Sequence, residues 1–311
     1  MRAQQTLANP VSCAGIGLHS GQPVTLTLRP AIPNTGIVFV NRNGKDGASL
    51  AASVEHLVPT ELCTAISGNG FQVQTIEHVL AALAGLDVDN VYVELTAGEA
   101  PVMDGSAAHF VRLIRSAGIV PQSRRQPYLK ITRPLEVVDG TRRVRIEPSS
   151  TTKVTYSIQY NHPMIQTQTY VYEHSAHAFE REIADARTFG FLQEVEAIWA
   201  RGLGQGGNLD NTIVLSKDGI LNESGLRYSN EFVRHKILDL IGDFSLLGVP
   251  FIGHLVAERS GHAIHTRLVQ QILTHPDCWV LLNADETVAA SGHRSTIPAP
   301  RYASLVALQA S

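Results

Sequence analysis

The first part of the chain alternates apolar and polar residues before it clusters them. "PVTLTLRP" (23–30) alternates, and "TGIVFVNR" (35–42) is rich in β-branched and aromatic residues, so both predict strands. "FQVQTIEHV" (71–79) runs a short strand into a helix. In "TIEHVLAALAGL" (75–86) Ile76, Val79, Leu80 and Leu83 recur at helical spacing, and Gly85 offers a stop. The opposite side carries Ala81, Ala82 and Ala84, which are small rather than polar. A helix with so little surface to wet nevertheless opens on an acid and an imidazole, Glu77 and His78.

"NVYVEL" (90–95) then predicts a strand, and "GSAAHFVRLIRSAG" (105–118) an amphipathic helix with Phe110, Leu113 and Ile114 inside. "PQSRRQP" (121–127) is polar and bounded by prolines, which suits a linker. Beyond it, "YLKITRPLEVVDGTRRVRIEP" (128–148) reads as two strands joined by a turn at Asp139-Gly140. "TKVTYSIQY" and "QTYVYE" add strands. "HAFEREIADA" (177–186) and "GFLQEVEAIWARGL" (190–203) predict helices, with the strand "NTIVLS" after them. "NEFVRHKILDLIGDFSLLG" (230–248) predicts a long helix capped by Ser229 or Asn230 and stopped at Gly248. A strand, "PFIGHLVAER", and a last helix, "SGHAIHTRLVQQILTH", complete the pattern.

The two parts end alike, each as helix, strand, then a Gly/Ser turn into a second helix. A histidine stands near the start of the first helix in both, His78 and His235. This topological echo predicts an α+β protein of two related units, helices packed on mainly antiparallel sheets, with a site at their junction. The expected division is residues 1–122, a linker at 123–127, and residues 128–311.

Composition narrows the function. Of 311 residues 44% are hydrophobic and 17% charged, enough apolar material for a sizeable core. The formal net charge is -3 and no block of Lys or Arg stands out, which argues against broad binding to nucleic acid. Cys13, Cys63 and Cys278 are odd in number and form no CxxC pair, which disfavours a disulfide framework or a thiolate zinc site. No signal-peptide core and no apolar run of membrane-spanning length occurs, so a cytoplasmic location is expected.

In "RHKILD" His235 and Asp239 are four residues apart, hence on one helix face, with Asp243 continuing the stripe and Lys236 beside it. Val233, Ile237, Leu240 and Phe244 take the other side. A lone HxxxD also fits a solvated face. Here Gly242, Phe232 and Leu246 accompany the stripe, poor dressing for open solvent, and His78 offers another nitrogen donor on a dry helix. Two imidazoles and one carboxylate form a site that zinc favours, with iron(II) or manganese as alternatives. Glu77, adjacent to a ligand but turned about 100° from it, is placed as a general base, though it would equally cap a helix beside a core histidine. His262 and His265 in "SGHAIHTRL" form an HxxH that fits a surface helix or a metal pair. His262, after Ser-Gly, is also placed to protonate a leaving group or meet an oxyanion, with Asp243 as its hydrogen-bond partner.

"GIGLHSG", "TIEHVLAALAGL", "PVMDGSAAHF", "ARTFGF", "NEFVRHKILDLIGD" and "SGHA" occur in this order. Together, from about residue 5 to residue 275, they resemble the UDP-3-O-acyl-N-acetylglucosamine deacetylases, zinc amidases of lipid A biosynthesis in Gram-negative bacteria. The resemblance implies a two-domain α/β sandwich with zinc in the cleft, held by His78, His235 and Asp239. Glu77 corresponds to the general base, His262 to the general acid or electrostatic stabiliser, and Asp243 to its partner. Thr188 is similar to the residue that meets the oxyanion, and Phe189 and Phe191 to contacts around the sugar and nucleotide. Lys236 resembles a lysine that meets substrate phosphate. A βαβ insert around residues 190–217 would shape an acyl passage, with Leu192, Val195 and Ile198 as lining. Cys63 matches a cysteine near the metal in some members and equally fits a buried structural thiol, and Arg142 and Arg143 fit either the pyrophosphate or, first, an exposed hairpin tip. The implied substrate is an acylated UDP-N-acetylglucosamine, handled by a monomer with zinc, or iron(II) in the cell. The rivals are a metallohydrolase acting on another amide and a non-catalytic binder of nucleotide-sugar lipids.

Overall fold

A computed structural model describes residues 2–43 and 47–283, together with Leu305 and Leu308. Among the described residues six α-helices occur: α1 (Glu77–Gly85), α2 (Ala108–Ala117), α3 (Ala176–Glu182), α4 (Leu192–Ala200), α5 (Glu231–Phe244) and α6 (His262–Thr274).

The first part builds a sheet whose strands lie in the order Val11–Ile16, Pro23–Pro30, Val91–Leu95, Ile37–Asn41, Ser49–Ala51. Its pairs are antiparallel except Ile37–Asn41 against Val91–Leu95. The second part repeats the device. Phe251–Glu258 is central, antiparallel to Arg142–Glu147 and parallel to Thr152–Gln159. In each part the strand that follows the dry helix makes a parallel pair within a mainly antiparallel sheet. The echo seen in the element order is therefore an echo of sheet topology, and the fold is α+β as expected.

Alternation explains which face is inside. In Pro23–Pro30 the side chains of Val24, Leu26 and Leu28 are buried, and in Phe251–Glu258 those of Leu255 and Ala257 are. Each large aliphatic side chain so buried contributes about 1.5–3 kcal/mol. In α1 every residue except Ala84 is buried, Glu77 and His78 included. α5 packs along α1. At Gly242 of α5 an added Cβ would stand 2.1 Å from the Glu77 carbonyl oxygen. The glycine on the polar stripe is thus the point of closest approach between the two helices that carry the candidate ligands. Gly242→Ala must push backbone rather than a flexible tip, and overpacking of this kind costs about 1–3 kcal/mol. A drop in melting temperature of roughly 2 °C or more is expected. Calorimetry that found no drop would show that the helices can separate freely.

Several expectations shift. Residues 123–125, assigned to a linker, continue the strand Ile119–Arg125, which pairs antiparallel with Ala3–Leu7, Arg125 opposite Ala3. The prolines and arginines there suggested a loop, but an edge strand tolerates both. Asn230 precedes α5 without capping it by its side chain; its Oδ1 instead accepts from Arg234 Nε at 2.7 Å. The predicted 230–248 helix is α5 plus a 3-10 turn, Ser245–Leu247, before Gly248 at positive φ. The segment 190–203 is a strand, Phe189–Phe191, followed by α4, and Ile213–Leu215 returns parallel to that strand. This is the strand–helix–strand element expected near residues 190–217.

Candidate functional site

Three ligand-type side chains converge where α1 meets α5. His235 Nε2 lies 3.3 Å and His78 Nε2 3.7 Å from Asp239 Oδ1, and one donor atom from each residue lies within 4.8 Å of the others. All three are buried. The rings of His78 and His235 meet edge to face at 5.1 Å. His235 donates Nδ1–H to the Ala186 carbonyl at 3.0 Å, which leaves the Nε2 lone pair facing the carboxylate. Two acceptors at 3.3 Å with no proton between them repel each other. A cation between them resolves this. His78 Nδ1 is buried without a hydrogen-bond partner. The donor set therefore fits a divalent metal.

Charge states agree. Burial, then His235, lowers His78 to about 3, and burial lowers His235 as well, so both rings are neutral. Burial alone would raise the Asp239 carboxyl, but His235 and Lys236 outweigh it and hold it far below the usual range. Lys236 donates to Asp239 Oδ2 at 2.9 Å. Burial opposes its charge, yet Asp239 keeps the ammonium protonated. Its charge is thus already partnered, with Phe189 beneath it at 5.5 Å from the ring centre.

Glu77 sits beside this trio. Its Oε2 accepts the Thr64 backbone N–H at 3.0 Å, and its Oε1 is 4.0 Å from His262 Nε2. Burial pushes its carboxyl up to about 7, against the pull of His262. His262 is the first residue of α6, and Asp243 of α5 accepts its Nδ1–H at 2.9 Å. Burial would lower this imidazole, but Asp243 lifts it to about 9. Asp243 stays anionic, at about 2, because His262 and His265 overcome its burial. A carboxyl near neutrality thus faces an imidazolium across 4.0 Å.

The loop before α4 borders the trio. Thr188 N–H donates to the Gly105 carbonyl at 2.8 Å, and Thr188 follows Ala186, the partner of His235, by two residues. Phe189 lies 6.5 Å from the His235 ring and 5.0 Å from Phe232, and Phe191 packs 5.6 Å from Tyr160. Arg187 fixes this loop: its backbone N–H and its Nε both donate to Glu231 Oε1, at 3.0 and 2.9 Å, in a buried ion pair.

Other expectations fare less well. Val195 and Ile198 share one half-covered face of α4, and Leu192 is 48% exposed. Arg143 is exposed and paired with Glu258 at 2.9 Å on the sheet, and Arg142 lies at the hairpin end opposite Asp139. Neither joins the residues described above. Cys63 is buried, and burial pushes its thiol up to about 12, so it is a protonated thiol rather than a ready thiolate. Glu61 is exposed and ion-paired with Arg201, a strut between its loop and the end of α4.

Some residues escaped the sequence reading. Thr64 bridges Glu77 and Asp243: its N–H goes to the former and its hydroxyl to the latter, at 2.5 Å. Nothing about a lone threonine announces that. His19 is buried with both ring nitrogens unpartnered, while its backbone N–H donates to Glu99 at 2.8 Å. Burial, with a smaller push from His262, keeps it neutral. Its signal was the "GIGLHSG" motif, to which residue type alone attaches no role.

A His/His/Asp donor set flanked by a carboxylate and an imidazolium is the kind of centre that metal-dependent hydrolases use. Comparison with known proteins carries this further. Residues 4–274 match the family model for UDP-3-O-acyl N-acetylglycosamine deacetylase. The chain is 45% identical to the UDP-3-O-acyl-N-acetylglucosamine deacetylase of Syntrophotalea carbinolica, covering 92% of this chain and 93% of that one. It is 45% identical to the Acidithiobacillus ferrooxidans enzyme of the same name, over 96% and 98%. It is 46% identical to that of Xanthomonas axonopodis pv. citri, over 90% and 93%. The chain belongs to the UDP-3-O-acyl-N-acetylglycosamine deacetylase family.

Proposed function

We propose that the protein hydrolyses the 2-N-acetyl amide of UDP-3-O-acyl-N-acetylglucosamine. The products are acetate and UDP-3-O-acyl-glucosamine, a step of lipid A biosynthesis. The observation that carries this reading is the convergence of His78, His235 and Asp239, buried beside Glu77 and His262 in a chain of the deacetylase family. His78, His235 and Asp239 would hold one zinc ion, or iron(II) in the cell. A bound divalent cation supplies Lewis-acid polarisation of water and of the amide carbonyl.

The chain's own residues do the rest. Glu77 takes the proton of the attacking water, for which a carboxyl near 7 is well matched at neutral pH. His262, held protonated by Asp243, faces the developing oxyanion, and the Thr188 hydroxyl adds a donor. The departing amine takes its proton from Glu77, which has gained one from the water, or from His262. Phe189 and Phe191 border the sugar and nucleotide. Val195 and Ile198 of α4 line the acyl chain's path, with Leu192 at its exposed edge. Lys236 meets substrate phosphate only by leaving or sharing Asp239. The two units divide near residue 127, and the protein works as a monomer in the cytoplasm. No helix among the described residues is long and apolar enough to cross a membrane.

Acetate release from the UDP-sugar substrate tests the reaction. Purified protein should release acetate, lose the activity to a chelator and regain it on zinc add-back. Turnover of peptide amides in place of the sugar amide, or saturable sugar binding without acetate, would sink the proposal.

A further inference from the structure

His265 is fully buried one turn beyond His262 on α6, on the same face. Both histidines reach one carboxylate. Asp243 Oδ2 lies 2.9 Å from His262 Nδ1 and 2.8 Å from His265 Nδ1. Asp243 Oδ1 accepts from the Thr64 hydroxyl at 2.5 Å. On its far side His265 Nε2 lies 2.8 Å from Ser260 Oγ and 3.2 Å from Tyr156 Oη. Tyr156 spends its one proton on the Ser260 carbonyl, at 2.9 Å.

The contact with Asp243 fixes a proton on Nδ1. With the proton on Nε2, the Nδ1 lone pair would face a carboxylate oxygen at 2.8 Å, a contact of two acceptors. With the proton on Nδ1, that contact is a hydrogen bond, and Nε2 accepts from the Ser260 hydroxyl when that hydroxyl turns from its other acceptor, Tyr156 Oη at 2.8 Å. Burial, which lowers the His265 pKa, also favours the neutral ring. One anion then serves one imidazolium, His262, while His265 adds a neutral donor. The carboxylate is thereby held from both sides: Thr64 on one oxygen, His265 on the other, and His262 in the remaining direction.

We infer that His265 is a positioning residue: a neutral ring, protonated on Nδ1, that orients Asp243 so that His262 Nε2 is aimed at Glu77 and the reacting amide. Asp243 sets the Nδ1–H tautomer, and the Ser260 hydroxyl meets Nε2. His265 touches neither substrate nor metal ligand, and all its influence passes through Asp243. It is a separate matter from the HxxH metal pair that the sequence spacing allowed. Both Nδ1 atoms are committed to Asp243, and the far nitrogen of His265 to Ser260, so the pair has no free lone pair in common.

Its effect on turnover presupposes the deacetylation proposed above; its tautomer does not. Nitrogen-15 spectra of histidine-labelled full-length protein should show His265 neutral with the proton on Nδ1. A proton on Nε2 overturns the inference even if acetate release is normal. Absence of acetate release with the expected tautomer would instead refute the reaction and leave the geometry standing. For the kinetic half, His265→Asn places an amide N–H where Nδ1–H was, and His265→Gln places one where Nε2 was. The Asn variant should keep a third or more of kcat. The Gln variant should lose about 10- to 100-fold in kcat, with KM within threefold and metal content unchanged. In an Asp243→Ala background the two substitutions should become indistinguishable. Equal losses for Asn and Gln in the parent protein, or an Asn–Gln difference that persists without Asp243, would overturn the role.

Discussion

Glu77→Gln is expected to lower turnover by about 10²- to 10⁴-fold while fold and metal are kept. Glutamine has nearly the same shape, and its amide oxygen can still accept the Thr64 N–H that now goes to Oε2. What it loses is the ability to take a proton. The substitution also relieves a strain in the charge balance. Burial pushes the Glu77 carboxyl up to about 7, so ionised Glu77 is disfavoured in its own site. The neutral amide carries no such penalty, and thermal stability should hold or rise. Rapid-quench assays alongside calorimetry would check both halves. Turnover within threefold of the parent would remove Glu77 from the base role, whatever became of stability.

His235→Ala should weaken metal binding by roughly 10²-fold or more, since loss of a partner merely bonded to a ligand already costs 10- to 100-fold. Its ring does two things at once. Nδ1–H holds the Ala186 carbonyl at 3.0 Å, and Nε2 faces Asp239. The variant therefore also loosens the loop that carries Thr188 and Phe189, and leaves a buried carbonyl unpaired at about 1–3 kcal/mol. Metal content after dialysis against a zinc buffer, measured by mass spectrometry, is the readout. Parent-like stoichiometry would exclude His235 from the ligand set.

Much of this site was legible because helical spacing is local. His235 and Asp239 share a face by geometry that four residues of sequence determine, and the dryness of α1 was visible in Ala81, Ala82 and Ala84. The meeting of His78 with His235 was an inference from topology, and it holds because Gly242 lets the helices touch at Glu77. Tertiary hydrogen bonds were not legible. Thr64 stands 179 positions from its partner Asp243, and Arg187 is 44 from Glu231, so no spacing rule joins them. Strand Ile119–Arg125 was mistaken in part for a linker because edge strands look like loops in composition. The HxxH spacing left His265 between a surface helix and a metal pair, whereas Asp243 and Ser260 supply its partners inside the protein.

The proposed chemistry depends on one cation held by two imidazoles and an aspartate. X-ray absorption at the zinc edge of the reconstituted protein measures that coordination sphere directly. The account predicts one site per chain with nitrogen and oxygen neighbours at about 2.0–2.2 Å, histidine-type outer-shell scattering, and no sulfur. A sulfur neighbour at about 2.3 Å would place the metal on a cysteine such as Cys63 and contradict it.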